Sequence, residues 1–300
     1  MTDWWMDAVC AGKQWDVLII QDEHEEIVAA MPYLLRKRLW MKYIVMPQQT
    51  QIGGIWISDT ALSEGDTKVT DICQKISDEL AQMGLSYYRQ QYPIGSPAVA
   101  AMKKLQFKCE QRITYRIEDL ADIEKVIQAF SKNKRRQLQK AQSLRVRTDM
   151  NIEDFYRFHV QCLHAQGKHI SYTREFLLVL ERKARRLQQC QTISICNDKE
   201  TVLAAAFLVW DKRSMYYLIP CYDPLQKDAG ASALLVQEAI RLASEKSLAF
   251  DFEGSMIAGV ANHYKQFGST ATTYYSMEKY YKWWFWFANV YNWLRERSIR

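Results

Sequence analysis

The sequence predicts an α/β chain made of two tandem copies of one domain, each a mixed β-sheet flanked by helices. Ile27-Val28-Ala29-Ala30 returns as Val202-Leu203-Ala204-Ala205, and at the same spacing of 175 residues Lys37-Arg38 returns as Lys212-Arg213. Near the end of each copy, Thr114-Tyr115 and Glu118 match Tyr274-Tyr275 and Glu278, 160 residues on. Between these matches the hydrophobic pattern runs through one order of strands and helices twice, and such self-similarity marks a repeated structural unit.

The first ten residues, with two Trp, two Asp and no basic leader or long apolar run, read as a short helix rather than a signal peptide. Paired apolar runs then flank a polar turn, Asp22 to Glu26 in the first copy and Asn197 to Glu200 in the second, which predicts β-hairpins. A third apolar run follows each hairpin, Tyr43 to Met46 and Met215 to Pro220. Helical spacing of Val69, Ile72, Cys73, Ile76 and Leu80 predicts a helix over Thr67 to Met83, matched by Ala231 to Ala243 with Leu234, Leu235, Ala239 and Leu242. A strand comes next, Leu85 to Tyr88 and Leu248 to Asp251, then a short helix around Val99-Ala100 and Val260-Ala261, then the last strand. The order β-β-β-α-β-α-β is therefore expected in both copies. The second alone is preceded by two helices, Ile152 to Gln166 and Thr173 to Leu187. The expected domains are 1–130, lacking those leading helices, and 131–300, with a basic bridging helix at its start and an aromatic helix at its end.

A hydrophobic fraction of 48% and a charged fraction of 25% are those of an ordinary globular chain with enough length for two cores. Seven cysteines, odd in number and never in a C-x-x-C pair, argue against a disulfide framework or a zinc site and place the chain in a reducing cytoplasm. His159, His164 and His169 recur at a step of about 140° on a helix, so they do not share a metal-facing side, and no metal is expected. The net charge of +6 is uneven: seven basic and no acidic residues lie between Ser131 and Arg147. That run reads either as a site for an anion or as a solvated helical face.

Three stretches carry a family resemblance: Ser131 to Ala141 (SKNKRRQLQKA), Phe250-Asp251-Phe252-Glu253-Gly254-Ser255, and Tyr264-Lys265-Gln266-Phe267-Gly268. With these and its duplicated element order, the chain resembles, over about residues 15 to 280, the FemABX-like branch of the GNAT acyltransferase superfamily, the peptidoglycan-bridge aminoacyltransferases and their relatives. The resemblance implies two tandem GNAT-like domains, transfer of an activated acyl or aminoacyl group to an amine, and a functional lysine near Lys265. The best-known members carry a long helical-hairpin arm; only about 40 residues separate Met150 from the strand at Cys190, too few for one.

The duplication is an internal control on the site. Asp251 and Glu253 have Tyr88 and Gln90 as first-copy counterparts, so the two acids are not needed to build the fold. Alternation along a strand sends both to one face, at the strand end where open α/β sheets place ligands. They read as a catalytic pair that orients or deprotonates the amine or, equally, as a structural pair satisfied by neighbouring donors. Lys265 is the candidate for stabilising an oxyanion. Lys132, Lys134, Arg135 and Arg136, with Tyr222, Gly254 and Ser255, are the candidate substrate and phosphate ligands. If the donor is an acyl-coenzyme A, its pyrophosphate would meet the turn from Gln226 through Gly230 to Ala231, although the only glycine falls one place late for a standard pyrophosphate loop.

The expected function is transfer of an activated acyl group to an amine of a cell-envelope precursor or related small molecule, with aminoacyl-tRNA or acyl-coenzyme A as donor. The alternatives are a coenzyme A-dependent GNAT N-acetyltransferase and a catalytically silent GNAT-fold binding or membrane-associated protein. The tail from Tyr280 to Leu294, with four Trp, three Tyr and two Phe, is expected to form a helix. It docks on the protein or on a second subunit, or else lies on the inner face of a membrane.

Overall fold

The same side-chain device closes the first hairpin of each copy. The Asp22 carboxylate accepts from the amides of His24 (2.9 Å) and Glu26 (3.0 Å), and the Asn197 side chain accepts from those of Lys199 (3.0 Å) and Thr201 (2.9 Å). Glu25 and Glu200 then adopt matching left-handed conformations, φ 63° and 60°. An acceptor two residues ahead of the turn satisfies amides that the strand ladder cannot, which is why Asp and Asn hold these places.

The computed structural model describes residues 2–10, 15–225, 230–254 and 256–285. In chain order, α1 (Asp3–Val9) precedes β1 (Trp15–Gln21), β2 (Ile27–Arg38) and β3 (Met41–Ile44). A two-residue β4 (Trp56–Ile57) and α2 (Asp59–Ser63) lead to α3 (Asp66–Gln82), β5 (Tyr87–Tyr92), α4 (Ala98–Lys104) and β6 (Lys108–Ile117). There follow α5 (Ile123–Gln128), the basic α6 (Lys132–Lys140), β7 (Arg145–Arg147), α7 (Ile152–Ala165) and α8 (Arg174–Arg186). The chain then repeats its opening as β8 (Cys190–Cys196), β9 (Val202–Trp210), β10 (Ser214–Tyr222), α9 (Ala231–Glu245), β11 (Ala249–Asp251), α10 (Ala258–Lys265) and β12 (Thr270–Tyr280). The expected order β-β-β-α-β-α-β is present twice.

The chain divides into two units, Met1–Arg112 with Thr273–Arg300 (unit 1) and Ile113–Thr272 (unit 2). In unit 1, β1, β2 and β3 are antiparallel neighbours, β5 runs parallel to β3, and Tyr275–Tyr280 of β12 lies antiparallel to Tyr92–Tyr87 of β5. In unit 2, β7 to β10 are antiparallel, β11 runs parallel to β10, and Arg116–Ile117 of β6 lies antiparallel to β11. Each sheet is thus completed by the final strand of the other sequence copy. This moves the division from the expected residue 130 to two places, 112/113 and 272/273, because backbone pairing, not sequence order, decides which unit a strand joins.

Each unit has its own apolar core. That of unit 1 joins Met31, Ile44 and Tyr88 of the sheet to Ile72, Ile76 and Leu80 of α3; that of unit 2 joins Leu208, Met215 and Phe250 to Leu235, Ala239 and Ile240 of α9. Between β6 and α9, α5 begins at Asp122, whose carboxylate accepts from the Lys125 amide at 3.0 Å, and α6 at Ser131, whose hydroxyl accepts from the Lys134 amide at 3.2 Å. Tyr280 ends β12 rather than opening a helix, and Phe285 beyond it packs on Tyr87 with 5.1 Å between centroids. The rest of the expected tail helix lies outside the described residues.

Candidate functional site

The candidate site forms in unit 2 where β10 and β11 part. The two strands pair only over Ser214–Tyr216 and Ala249–Asp251; past Tyr216, β10 carries an irregularity before Ile219. β11 stops at Asp251, because Glu253 and Gly254 turn to φ 59° and 66°. A left-handed conformation at a non-glycine residue costs about 1–2 kcal/mol and persists only where its surroundings impose it.

Asp251 supplies that constraint. It is 3% exposed. Its carboxylate accepts from Arg116 Nη1 at 2.6 Å, from Thr114 Oγ1 at 2.5 Å and from the Glu253 amide at 2.8 Å. Arg116 is held in turn by Glu118 at 2.6 Å and donates to Ser214 Oγ at 3.0 Å. A carboxylate so occupied has its oxygens committed to its own neighbours. Of the two readings of Asp251, this geometry fits the structural one, a brace that fixes the turn beneath Glu253. Which donors satisfy it was not legible, because Thr114 and Arg116 sit on β6, the strand that crosses from the first copy.

Glu253 is in a different position. Half-buried and out of strand register, it faces first a loss of hydration and then the Asp251 charge, which push its carboxyl up to about 8. Tyr264 of α10 stacks on Phe252 with 4.5 Å between ring centroids. Its hydroxyl is pushed to about 12, by burial first and then by the charges of Glu253 and Tyr222. Tyr222 itself is exposed at the end of β10, and Gly254 follows Glu253 in the turn. Glu253, Tyr264 and Tyr222 thus share one electrostatic neighbourhood, with a carboxyl that keeps its proton at neutral pH and releases it towards about 8.

A second pair lies on the neighbouring helices. Lys134 was expected among the phosphate ligands, but it is 3% exposed, with Nζ 3.1 Å from both Gln137 Oε1 and His263 Nδ1 and 4.8 Å above the Phe267 ring. It anchors α6 on α10 and is not offered to a ligand. Burial lowers Lys134 to about 8; burial and then the Lys134 charge lower His263 to about 4. At neutral pH the ammonium therefore donates to a neutral imidazole. His263 was passed over in the sequence; its place beside Tyr264-Lys265 was the available signal.

Lys132, Arg135 and Arg136 are exposed on α6, and among the described residues none of them is ion-paired. Arg135 donates to the Gln128 carbonyl at 3.2 Å. Glu153 and Asp154, acids that could have neutralised the stripe, pair with Arg174 and Arg157 instead. Lys265 is exposed on α10, its ammonium 5.9 Å from the Tyr115 ring centroid. Ser255 and Gln226 lie outside the described residues.

Gly230, at φ 73°, opens α9, and a Cβ there would lie 2.2 Å from the Gln137 carbonyl oxygen. The glycine is thus explained by the close approach of α6, while Ala231 is buried in the core. Residues 226–229 of the expected pyrophosphate turn lie outside the described residues. Two surface hollows, of about 810 Å³ around Asp22, Lys68 and Asp71 and about 560 Å³ around Asp154, Phe158 and Leu225, include none of the expected site residues.

The acetyltransferase (GNAT) domain matches residues 108–266, more than half of the chain. The chain belongs to this family. Its GNAT fold is also that of FemX, which is 10% identical with a TM-score of 0.69 over 92% of this chain and 90% of that one. L-PGS from Bacillus licheniformis is similar over 94% and 93% at 9% identity, with a TM-score of 0.55. A tandem GNAT protein from the clavulanic acid biosynthesis pathway is similar over 89% and 82% at 8% identity, with a TM-score of 0.53. The FemABX-like, tandem GNAT architecture read from the sequence is thereby borne out as a fold. No curated protein matches the sequence.

Proposed function

We propose that this acyltransferase moves an activated aminoacyl or acyl group onto an amine of a cell-envelope precursor or related small molecule, with the chemistry in unit 2. The observation that carries the reading is Glu253, lifted out of the strand by a strained turn and holding a carboxyl near 8 where the first copy has a buried amide. Glu253, in its ionised form, accepts the proton of the attacking amine as the new C–N bond forms, and returns it to the donor's leaving oxygen or sulfur as the acyl ester or thioester bond breaks. Lys265, with the Tyr264 hydroxyl beside it, faces the developing oxyanion, and Lys132, Arg135 and Arg136 take phosphate groups of donor or acceptor.

The test is a donor and acceptor panel read by mass spectrometry: charged tRNA pools and short acyl-coenzyme A esters, each offered with nucleotide-linked and lipid-linked muropeptide amines. The expected result is a new amide with an aminoacyl donor, lost in Glu253→Gln. Transfer from acyl-coenzyme A alone would replace the aminoacyl reading with the N-acetyltransferase reading, and no transfer from any donor would support the silent binding protein.

A further inference from the structure

We propose that the β2–β3 hairpin of unit 1 is a membrane-docking loop that sets Leu39 and Trp40 into the headgroup region of a bilayer rich in anionic lipid. The pairing of Arg38 with Met41 leaves these two residues as the whole tip, and each is 77% exposed. Leu39 stands at φ 54°, the left-handed conformation that a two-residue hairpin turn normally fills with glycine or asparagine. A bulky apolar residue there strains the backbone and leaves its side chain in water, two costs that the fold does not require.

The duplicated domain supplies the control. The equivalent hairpin of unit 2, between β9 and β10, turns through Asp211-Lys212-Arg213, its Asp211 carboxylate accepting from the amides of Arg213 (2.7 Å) and Ser214 (2.9 Å). The Trp210 ring at its base is covered by the Lys246 ammonium at 4.5 Å. One copy of the same hairpin therefore ends in a satisfied polar turn and the other in a bare Leu-Trp.

Charge identifies the partner. Arg36, Lys37, Arg38 and Lys42 surround the tip, with no acid between residues 36 and 42. Lys37 and Lys42 sit directly opposite each other across the ladder, a repulsive arrangement, and among the described residues neither is ion-paired. An apolar tip inside a ring of unneutralised cations matches an anionic interface, where apolar burial and surface potential act together. Phe285 lies 5.9 Å from the Tyr43 ring on β3 and stacks on Tyr87.

This inference does not depend on the reading of the site in unit 2. Flotation of the full chain with phosphatidylcholine vesicles, with and without phosphatidylglycerol, tests it. Wild type is expected to float with the anionic vesicles and to be released by salt. Leu39→Gly/Trp40→Ser should weaken that partition by about tenfold or more, and Lys37→Gln/Arg38→Gln/Lys42→Gln should abolish the preference for anionic lipid. Leu39→Gly alone suits the turn, so its Tm should equal or exceed that of wild type while its partition falls. The proposal is overturned if wild type ignores anionic vesicles or if the hairpin variants float as wild type does. It is equally overturned if the Leu39/Trp40 variant instead converts a lipid-free dimer to monomer, which would make the partner a second copy of the chain.

Discussion

The ends of β5 and β11 began as the same stretch of chain and now do opposite things. In unit 1 the strand runs straight through Tyr88, Gln90 and Tyr92, all fully buried and neutral. Tyr88 and Tyr92 share a hydroxyl contact at 3.1 Å, and the Gln90 amide donates to the Pro32 carbonyl at 2.8 Å and accepts from the Gly54 amide at 3.2 Å. In unit 2 the strand breaks after Asp251, one acid is tied to Arg116 and the other is turned out with a raised pKa. A fold position tolerates an ionisable side chain only where something pays its desolvation, and unit 2 meets that need with an arginine brought in on β6. The countercharge thus separates the two copies at this position.

The largest effect that would break this contrast is at Glu253. Glu253→Gln turns the unit 2 position into its unit 1 counterpart and should lower turnover at least about 100-fold, the usual scale of a general base. The wild-type rate should rise with pH toward about 8, where the Glu253 carboxyl ionises. The same substitution has an opposite signature in stability. The folded protein keeps the Glu253 proton up to about 8 while the unfolded chain releases it from its ordinary value, 4.5. Between these values rising pH therefore costs wild-type stability, by several kcal/mol (on the order of 5) at its upper end, and spares the glutamine variant. Denaturant titrations at several pH values would show the two curves separating; parallel curves would mean that Glu253 is ordinarily solvated.

A smaller effect sharpens the role of the brace. Arg116→Met leaves Asp251 buried without its cation and should destabilise unit 2 by about 2–4 kcal/mol. Arg116→Met/Asp251→Asn should recover much of that loss, as measured by urea unfolding. If the single variant is as stable as wild type, Asp251 is not dependent on Arg116 and the turn is held by other means. The smallest effect belongs to α6. Arg135→Ala/Arg136→Ala should leave the unfolding free energy unchanged within about 0.5 kcal/mol. It should weaken binding of inorganic pyrophosphate or the identified donor and flatten its salt dependence. An unaltered salt series would make α6 a solvated helix.

Most of the scaffold was legible because its signals are local. The 3.6-residue spacing of Val69, Ile72, Ile76 and Leu80 and the Asp22 and Asn197 turns each state their structure within a few residues. The basic stretch after Ser131 became a helix as expected. The site was legible by half. Glu253 stood out through the comparison with Gln90, but its separation from Asp251 depended on a change of backbone hand that alternation cannot anticipate. The burial of Lys134 against His263 and Phe267 joins residues far apart in sequence, so a run of basic residues concealed one that is not on the surface. Gly230 illustrates the same limit: its neighbour is the backbone of α6, which leaves no mark in the local pattern.

The exchange of last strands has a consequence for how the chain comes into being. Residues Tyr275–Tyr280, which complete the sheet of unit 1, are made after the whole of unit 2, so during synthesis β5 waits with one edge unfilled until they emerge. That edge is a docking site for any stray strand in the meantime. The one charged residue of β5, Arg89, is the one that later donates to Ser276, at 3.1 Å. A shortened chain that stops before residue 273 would keep every residue of its proposed chemistry and still lack the means to finish the first sheet.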